Sequence, residues 1–242
     1  MISDKMKTDT RIGEELDFSV TEAYNLLRTN LEFSIPDKQP GKARIIGSTS
    51  ACPQEGKSYT SANLAYSFAR NGAKVLLIDA DMRRPTLASK LDLPISPGLS
   101  NLLAGHGTPA IHHGVLHENL SVLTAGDTPP NPSELLGSGR MKELLDGFGE
   151  EYDLILIDLP PVNSVPDPVI VSRMTDGIVL VVRHGSSRKR EVMAAVRQLR
   201  FAKAHLLGTV YNGYTTGSHY YYHHYYQSED KETAKAAPPS EN

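Results

Sequence analysis

Tryptophan is absent from these 242 residues, cysteine occurs once and phenylalanine five times. The single thiol, Cys52, excludes an internal disulfide and any four-cysteine metal cluster supplied by one chain. Such sparing use of cysteine suits a reducing cytosol. No stretch approaches the roughly 20 consecutive apolar residues that a membrane span needs. The opening MISDKMKTDTRIGEELDF lacks the apolar core of a secretory signal. A protein of this kind works at a membrane only if something else brings it there. Positive charge is not in excess either: 25 Lys and Arg face 28 Asp and Glu, a formal net charge of −3. That balance removes the global basic field of a nucleic-acid binder. The expectation is a cytoplasmic protein with no nucleic-acid partner.

What is present is ordinary for a soluble globular chain: 39% hydrophobic and 22% charged residues. The length fits one large α/β domain, and can bury a sizeable core. Residues 1–18 are polar and read as a flexible N-terminus. Ser19–Ser34 shows apolar residues at helical spacing, with Ser19 as N-cap and Glu22 completing a capping box. Pro36–Gly41 reads as a linker. Six apolar strands then alternate with helices: Ala43–Gly47, Lys74–Ile78, Leu120–Leu123, Asp153–Ile157, Gly177–Val182 and Leu206–Val210. Helices are expected at Lys57–Asn71, Leu87–Leu91, Leu99–Leu103, Ser133–Leu136, Ser138–Phe148, Asp167–Met174 and Arg188–Lys203. This alternation predicts an α/β fold of P-loop NTPase type, a mostly parallel sheet with helices on both faces. The folded domain is expected over 19–212, with 19–35 as its N-terminal helix. Ligands of such sheets bind beyond the carboxyl ends of the strands.

The loop after the first strand reads Ala51-Cys-Pro-Gln-Glu-Gly-Lys-Ser58. It matches the phosphate-binding pattern G-x-x-x-x-G-K-[ST] at every fixed position but the first, where Ala51 stands for glycine. Backbone N–H groups and the helix N-terminus would cradle phosphate oxygens. Lys57 would neutralise the β/γ phosphates, Ser58 would ligate Mg²⁺, and Gly56 would allow close backbone approach. Pro53, Gln54, Glu55, Gly56, Lys57, Ser58 and Tyr59 are the expected nucleotide contacts, together with Arg83. The bland alternative is a strand-turn-helix with a capping serine; the placement between an apolar strand and a helix argues against it.

Two further strands run into acids: Asp79-Ala-Asp81-Met-Arg83-Arg84 after the second and Asp158 after the fourth. A lone aspartate there would merely cap a turn. Three carboxylates gathered around one phosphate loop suit Mg²⁺, a hard cation that takes oxygen ligands. Lys57, Asp79, Asp81 and Asp158 are the expected catalytic set, with Ser58, Asp81 and Asp158 on the metal. Asp79 and Asp81 are two apart and share a side if the backbone stays extended. Either could accept a proton. Arg83 and Arg84 could pair with these acids or face phosphate.

The order of motifs resembles the bacterial tyrosine kinases: the phosphate loop, then Asp79-Ala-Asp81-Met-Arg83, then Leu154–Asp158. Two more segments are similar to the same family, Glu22–Asn30 and Val122–Leu136. The resemblance covers roughly residues 19–226. It implies ATP and Mg²⁺ as cofactors, autophosphorylation on tyrosine, and control of capsular or exopolysaccharide synthesis. It further implies a separate transmembrane activator of the polysaccharide co-polymerase type, a phosphotyrosine phosphatase, and recruitment to the inner face of the cell membrane. Two departures lie in the loop, Ala51 and Gln54, each where the family favours glycine. A third lies in the family's E-x-x-R-x-x-R pattern, implicated in ring assembly, which here reads Glu22-x-x-Asn25-x-x-Arg28.

Tyr211, Tyr214, Tyr220, Tyr221, Tyr222, Tyr225 and Tyr226 fall within 16 residues, seven of the chain's 11 tyrosines. No apolar run accompanies them, and 213–242 reads as a disordered tail. His219, His223 and His224 do not fit a zinc site, because their spacing is wrong and no acidic or cysteine ligand joins them. The last five tyrosines are therefore expected acceptors of phosphate. A phenol titrates near pH 10 and needs a base at neutral pH; Asp79 or Asp81 could serve. One rival reading is a nucleotide switch acting on DNA or membrane, but such relatives carry a lysine where Cys52 stands. The other is a non-kinase ATP-binding switch that regulates a membrane co-polymerase.

Overall fold

The computed structural model describes residues 11–35, 41–105 and 110–214. Most of the expected linker and the tyrosines from Tyr220 to Tyr226 lie outside the described residues. Met1–Asn212 form one compact unit; the second, Gly213–Asn242, is described only at Gly213 and Tyr214.

Seven strands build the first unit: β1 Arg44–Ser50, β2 Val75–Asp79, β3 Ile111–His112, β4 Leu120–Leu123, β5 Leu154–Asp158, β6 Gly177–Arg183 and β7 Leu206–Asn212. Eight α-helices join them: α1 Phe18–Ser34, α2 Lys57–Arg70, α3 Leu87–Lys90, α4 Leu99–Ala104, α5 Pro132–Leu136, α6 Gly139–Glu151, α7 Asp167–Val171 and α8 Lys189–Phe201. Their order across the sheet is β3-β4-β2-β5-β1-β6-β7. Every neighbouring pair is parallel except β3 with β4. The six expected strands are all present. The two-residue β3 adds an antiparallel edge that no sequence periodicity announced, because two residues cannot display a period.

Alternation along the central strands sorts the core. Val75 and Leu77 of β2, with Leu154 and Leu156 of β5, join Leu31, Tyr66 and Phe68 from α1 and α2. Leu76, Ile78, Ile155 and Ile157 face the opposite layer, with Met141 and Leu145 of α6 and Leu199 of α8. Residues two apart share a face, so unbroken apolar strands mean that both faces are covered. Helix α2 is buried from Thr60 to Ala69, and its Ala- and Ser-rich sequence lets α1 and the sheet approach it closely.

Three local expectations change. Helix α1 starts at Phe18 with Asp17 as N-cap, so Ser19 lies inside the first turn. Asp17's carbonyl accepts from the N–H groups of Val20 and Thr21, and Glu22 Oε1 accepts from Asn25 Nδ2 at 2.9 Å instead of closing a capping box. Residues 11–17, grouped above with a flexible N-terminus, make specific contacts. A short 3₁₀ turn spans Gly13–Glu15, Gly13 N–H donates to Asn63 Oδ1 at 2.9 Å, and Arg11 pairs with Asp17. The expected helix Asp167–Met174 is α7 followed by a 3₁₀ turn, Ser172–Met174.

Candidate active site

Strand order decides what the acids do. β5 lies between β1 and β2, so the loop after β1 and the acids ending β2 and β5 meet on one edge of the sheet. Asp79 and Asp158 are the last residues of β2 and β5 and are register partners. Lys57, the first residue of α2, reaches back over this edge. Its Nζ lies 3.2 Å from Asp81 Oδ2 and 3.2 Å from Asp158 Oδ2, and 3.3 Å from Ser58 Oγ. Burial alone would lower the Lys57 pKa, but Asp158, Asp81 and Asp79 raise it above its ordinary value. The ammonium is thus fixed in its charged form.

The three acids are held differently. Asp158 accepts from Ser61 Oγ at 3.1 Å on its other oxygen. Asp79 is fully buried and accepts three backbone N–H groups: Asp81 on Oδ1, Thr86 and Leu87 on Oδ2. Burial and then the charge of Asp158 lift its carboxyl to about 7, against the pull of Lys57 and of the Leu87 and Asp81 amides. Asp81 Oδ1 accepts the Arg84 amide at 3.1 Å, closing a turn. The strand has ended here, but the turn brings Asp81 back to the same ammonium. Ser58 Oγ, beside Lys57, accepts from Thr86 Oγ1 at 3.0 Å. These hydroxyl and carboxylate oxygens are a hard donor set of the kind that suits Mg²⁺.

The phosphate loop is braced from the far side of the sheet. Arg183, the last residue of β6, donates to Gln54 O at 2.8 Å. Asn212, the last residue of β7, donates to Glu55 O at 3.0 Å. Glu55 is buried; Oε2 accepts the Cys52 amide at 2.9 Å, and Oε1 accepts from Ser187 Oγ. Gln54 has φ 65 and Gly56 φ 87, the left-handed region that glycine favours. Ala51 has an ordinary backbone, and its methyl is fully buried in the core below. Alanine therefore fits where the pattern asks for glycine. Arg83 takes a different partner from those expected. Its Nε lies 3.0 Å from Asp167 Oδ2 and its Nη2 3.0 Å from Ser133 Oγ. Asp167 is fully buried, and the pair ties the Asp79–Arg84 segment to α5 and α7.

The loop lysine thus faces acids from two parallel strands. The AAA domain family matches residues 54–184. Tyrosine-protein kinase YwqD of Bacillus subtilis (strain 168) is 42% identical over 202 residues, 82% of this chain and 83% of that one. The crystal structure of the chimerical protein CapA2B2 superposes with a TM-score of 0.78 at 37% identity, over 84% of this chain and 88% of that one. The kinase domain of Escherichia coli tyrosine kinase ETK superposes with a TM-score of 0.75 at 35% identity, over 84% and 80%. The chain belongs to the bacterial tyrosine kinases.

In this bacterial tyrosine kinase the brace on the loop runs past Gly56. A methyl on Gly56 would sit 2.0 Å from Asn212 Nδ2. Gly56→Ala is expected to push the Asn212 amide off Glu55 O and to strain a positive φ. Lost hydrogen bond and backbone strain together cost about 2–3 kcal/mol. Urea denaturation should show that loss, and titration with Mg-ATP a weaker affinity. Ser61, Thr86, Asp167, Arg183, Ser187 and Asn212 escaped sequence reading. Of these only Ser61 carried a signal, lying one helical turn beyond Lys57; the rest reach the site from other strands and loops.

Proposed function

We propose that this chain binds Mg-ATP at Ala51–Ser58 and transfers the γ-phosphoryl group to Tyr220, Tyr221, Tyr222, Tyr225 and Tyr226, between subunits. The observation that carries this reading is Lys57 gripped between Asp81 and Asp158 with Ser58 beside it. Its relatives are named tyrosine-protein kinases. When bound, Mg²⁺ would neutralise charge across the β and γ phosphates. Ser58, Asp81 and Asp158 would hold it. Lys57 would turn from these carboxylates to the phosphates.

The chain's own residues then do two things. The braced loop amides and the N-terminus of α2 fix the triphosphate, so positioning and charge neutralisation do most of the work. A carboxylate takes the proton from the attacking phenol. Asp79, lifted to about 7, has the basicity for a phenol's proton near neutral pH. Its three amide contacts make it less free to move than Asp81.

The reading extends to the cell. Among the described residues no helix is long and apolar enough to cross a membrane. A separate transmembrane activator of the co-polymerase type would bring the kinase to the inner face of the membrane, where it would regulate capsular or exopolysaccharide polymerisation. A phosphatase would reset the tail. Assembly into a ring through α1 is part of the same reading. Asn25, in place of the family's arginine, is bonded within its own subunit: its amide donates to Glu22, and its Oδ1 accepts from Ser67 Oγ at 3.1 Å.

Incubation with Mg-ATP and an anti-phosphotyrosine blot tests the proposal. The wild type should label, and the variant with Phe at 220, 221, 222, 225 and 226 should lose nearly all signal. Undiminished labelling of that variant would move the acceptor elsewhere. An unlabelled wild type, with and without a candidate activator fragment, would favour the non-kinase switch.

A further inference from the structure

One cation near the site has no role in what precedes. Lys90 ends α3, and its Nζ stands 4.9 Å from the centroid of the Tyr59 ring. The residue is half-buried, and among the described residues no carboxylate lies within ion-pair distance of it. A half-buried ammonium without an anion is costly. Stacking on a ring returns only part of that cost.

Its placement is not accidental in the fold. Tyr59 follows Ser58 directly, so the ring is anchored to the first turn of α2. Helix α3 is anchored from its other end, because the Thr86 and Leu87 amides donate to Asp79 Oδ2, and the Lys90 amide donates to Thr86 O. Thr86 also bonds Ser58. The short helix therefore hangs on the same acids and hydroxyl that form the site. Lys90 feels that site: burial holds its pKa below the ordinary value, with Asp158 and Asp79 acting to raise it and Lys57 to lower it. Three buried carboxylates and Lys57 make a cluster of net negative charge. A second ammonium held at its margin, with no carboxylate partner among the described residues, is available for a further anion.

We infer that Lys90, carried on the Tyr59 ring, is a second cation of the phosphoryl-transfer site and engages the γ-phosphoryl group of ATP. In the transfer, the phenol oxygen forms a bond to phosphorus, the bond from phosphorus to the β-phosphate oxygen breaks, and the phenol proton goes to a carboxylate of the site. Lys90 forms no covalent bond in this step. It offsets charge on the peripheral oxygens of the moving group, where preorganised cations act most strongly. The inference rests on the nucleotide site proposed above.

The experiment compares Lys90→Gln, Lys90→Arg and Tyr59→Leu with the wild-type full chain. Calorimetric binding of Mg-ADP and Mg-ATP is read first, then the initial rate of phosphotyrosine formation at saturating ATP, then the thermal midpoint. For Lys90→Gln, affinity for Mg-ATP should fall about 5-fold or more while affinity for Mg-ADP stays within about 2-fold. The rate should fall about 10- to 100-fold. Lys90→Arg should recover most of both, and Tyr59→Leu, which frees the lysine, should fall between. All three should melt with the wild type. Equal losses for ADP and ATP, an unchanged rate, or failure of arginine to rescue a folded protein would each overturn the role of Lys90. Wild type that binds neither nucleotide would instead overturn the site itself.

Discussion

Lys57→Met is expected to abolish tyrosine phosphorylation and, separately, to weaken the nucleotide-free fold by about 3–5 kcal/mol, the range for orphaning a buried charge. Both effects have one source. The lysine is the ammonium shared by Asp81 and Asp158 at 3.2 Å, and it also moderates Asp79. Without it, three buried carboxylates face each other. Their relief is protonation, so the loss depends on pH. Asp79 already has a folded pKa near 7, above that of an unfolded aspartate near 3.9. Between those values the folded state holds more protons than the unfolded state, so this group's contribution to stability falls as pH rises. In the variant Asp79 loses the charge that pulls its pKa down, so it shifts further up and the loss continues to higher pH. Lys57 behaves oppositely. Its folded pKa is raised above 10.5, so its contribution is complete below that value and is lost only as pH climbs past the folded pKa. It is therefore constant between pH 5 and pH 8. The gap between wild type and variant should narrow markedly from pH 8 to pH 5 in urea denaturation with chelator present. A gap independent of pH would mean that the lysine contributes packing rather than charge.

Arg83→Ala should cost about 2–3 kcal/mol, less than the lysine because the arginine is partly exposed and water can reach its partner. What it leaves behind is Asp167, fully buried at the start of α7 and bonded to Ser133 Oγ at 2.5 Å. Asp167→Asn removes the charge but keeps the shape, so it should cost less than Arg83→Ala. In the double variant the penalty for a naked carboxylate disappears. A double-mutant cycle should therefore return a coupling of about 2 kcal/mol between the two sites. Additive losses would show that the pair is incidental. Because Arg83 follows Asp81 by two residues, loosening it should also slow phosphotyrosine formation, read by the same blot. The role of Arg83 is thus structural, but its partner is Asp167 and not one of the strand-end acids that the sequence offered.

The same contrast separates what was legible from what was not. Strands β1, β2 and β5 could be read because each is a short unbroken apolar run between turn signals, and α2 because it begins at Gly56-Lys57-Ser58 and stops at Gly72, whose φ is 92. That Lys57 would be found with Asp79, Asp81 and Asp158 was expected from acids that end two apolar strands and from the carboxyl-edge rule, given a parallel sheet. The capping box at Ser19 and Glu22 misled because local spacing cannot show that the chain enters α1 two residues earlier, at Asp17, which Arg11 holds. The two residues of β3 are too few to carry a period.

By itself the sequence determined the parallel α/β class, the phosphate loop and the acids that face it, because those depend on short-range pattern and on fixed rules of chain connection. Only the tertiary structure decided that Asp79 and Asp158 sit in register, that Arg183 and Asn212 brace the loop, and that Arg83 belongs to Asp167. Those contacts join residues separated by up to 157 positions. Their energies depend on burial and angle, and neither exists until the sheet has closed.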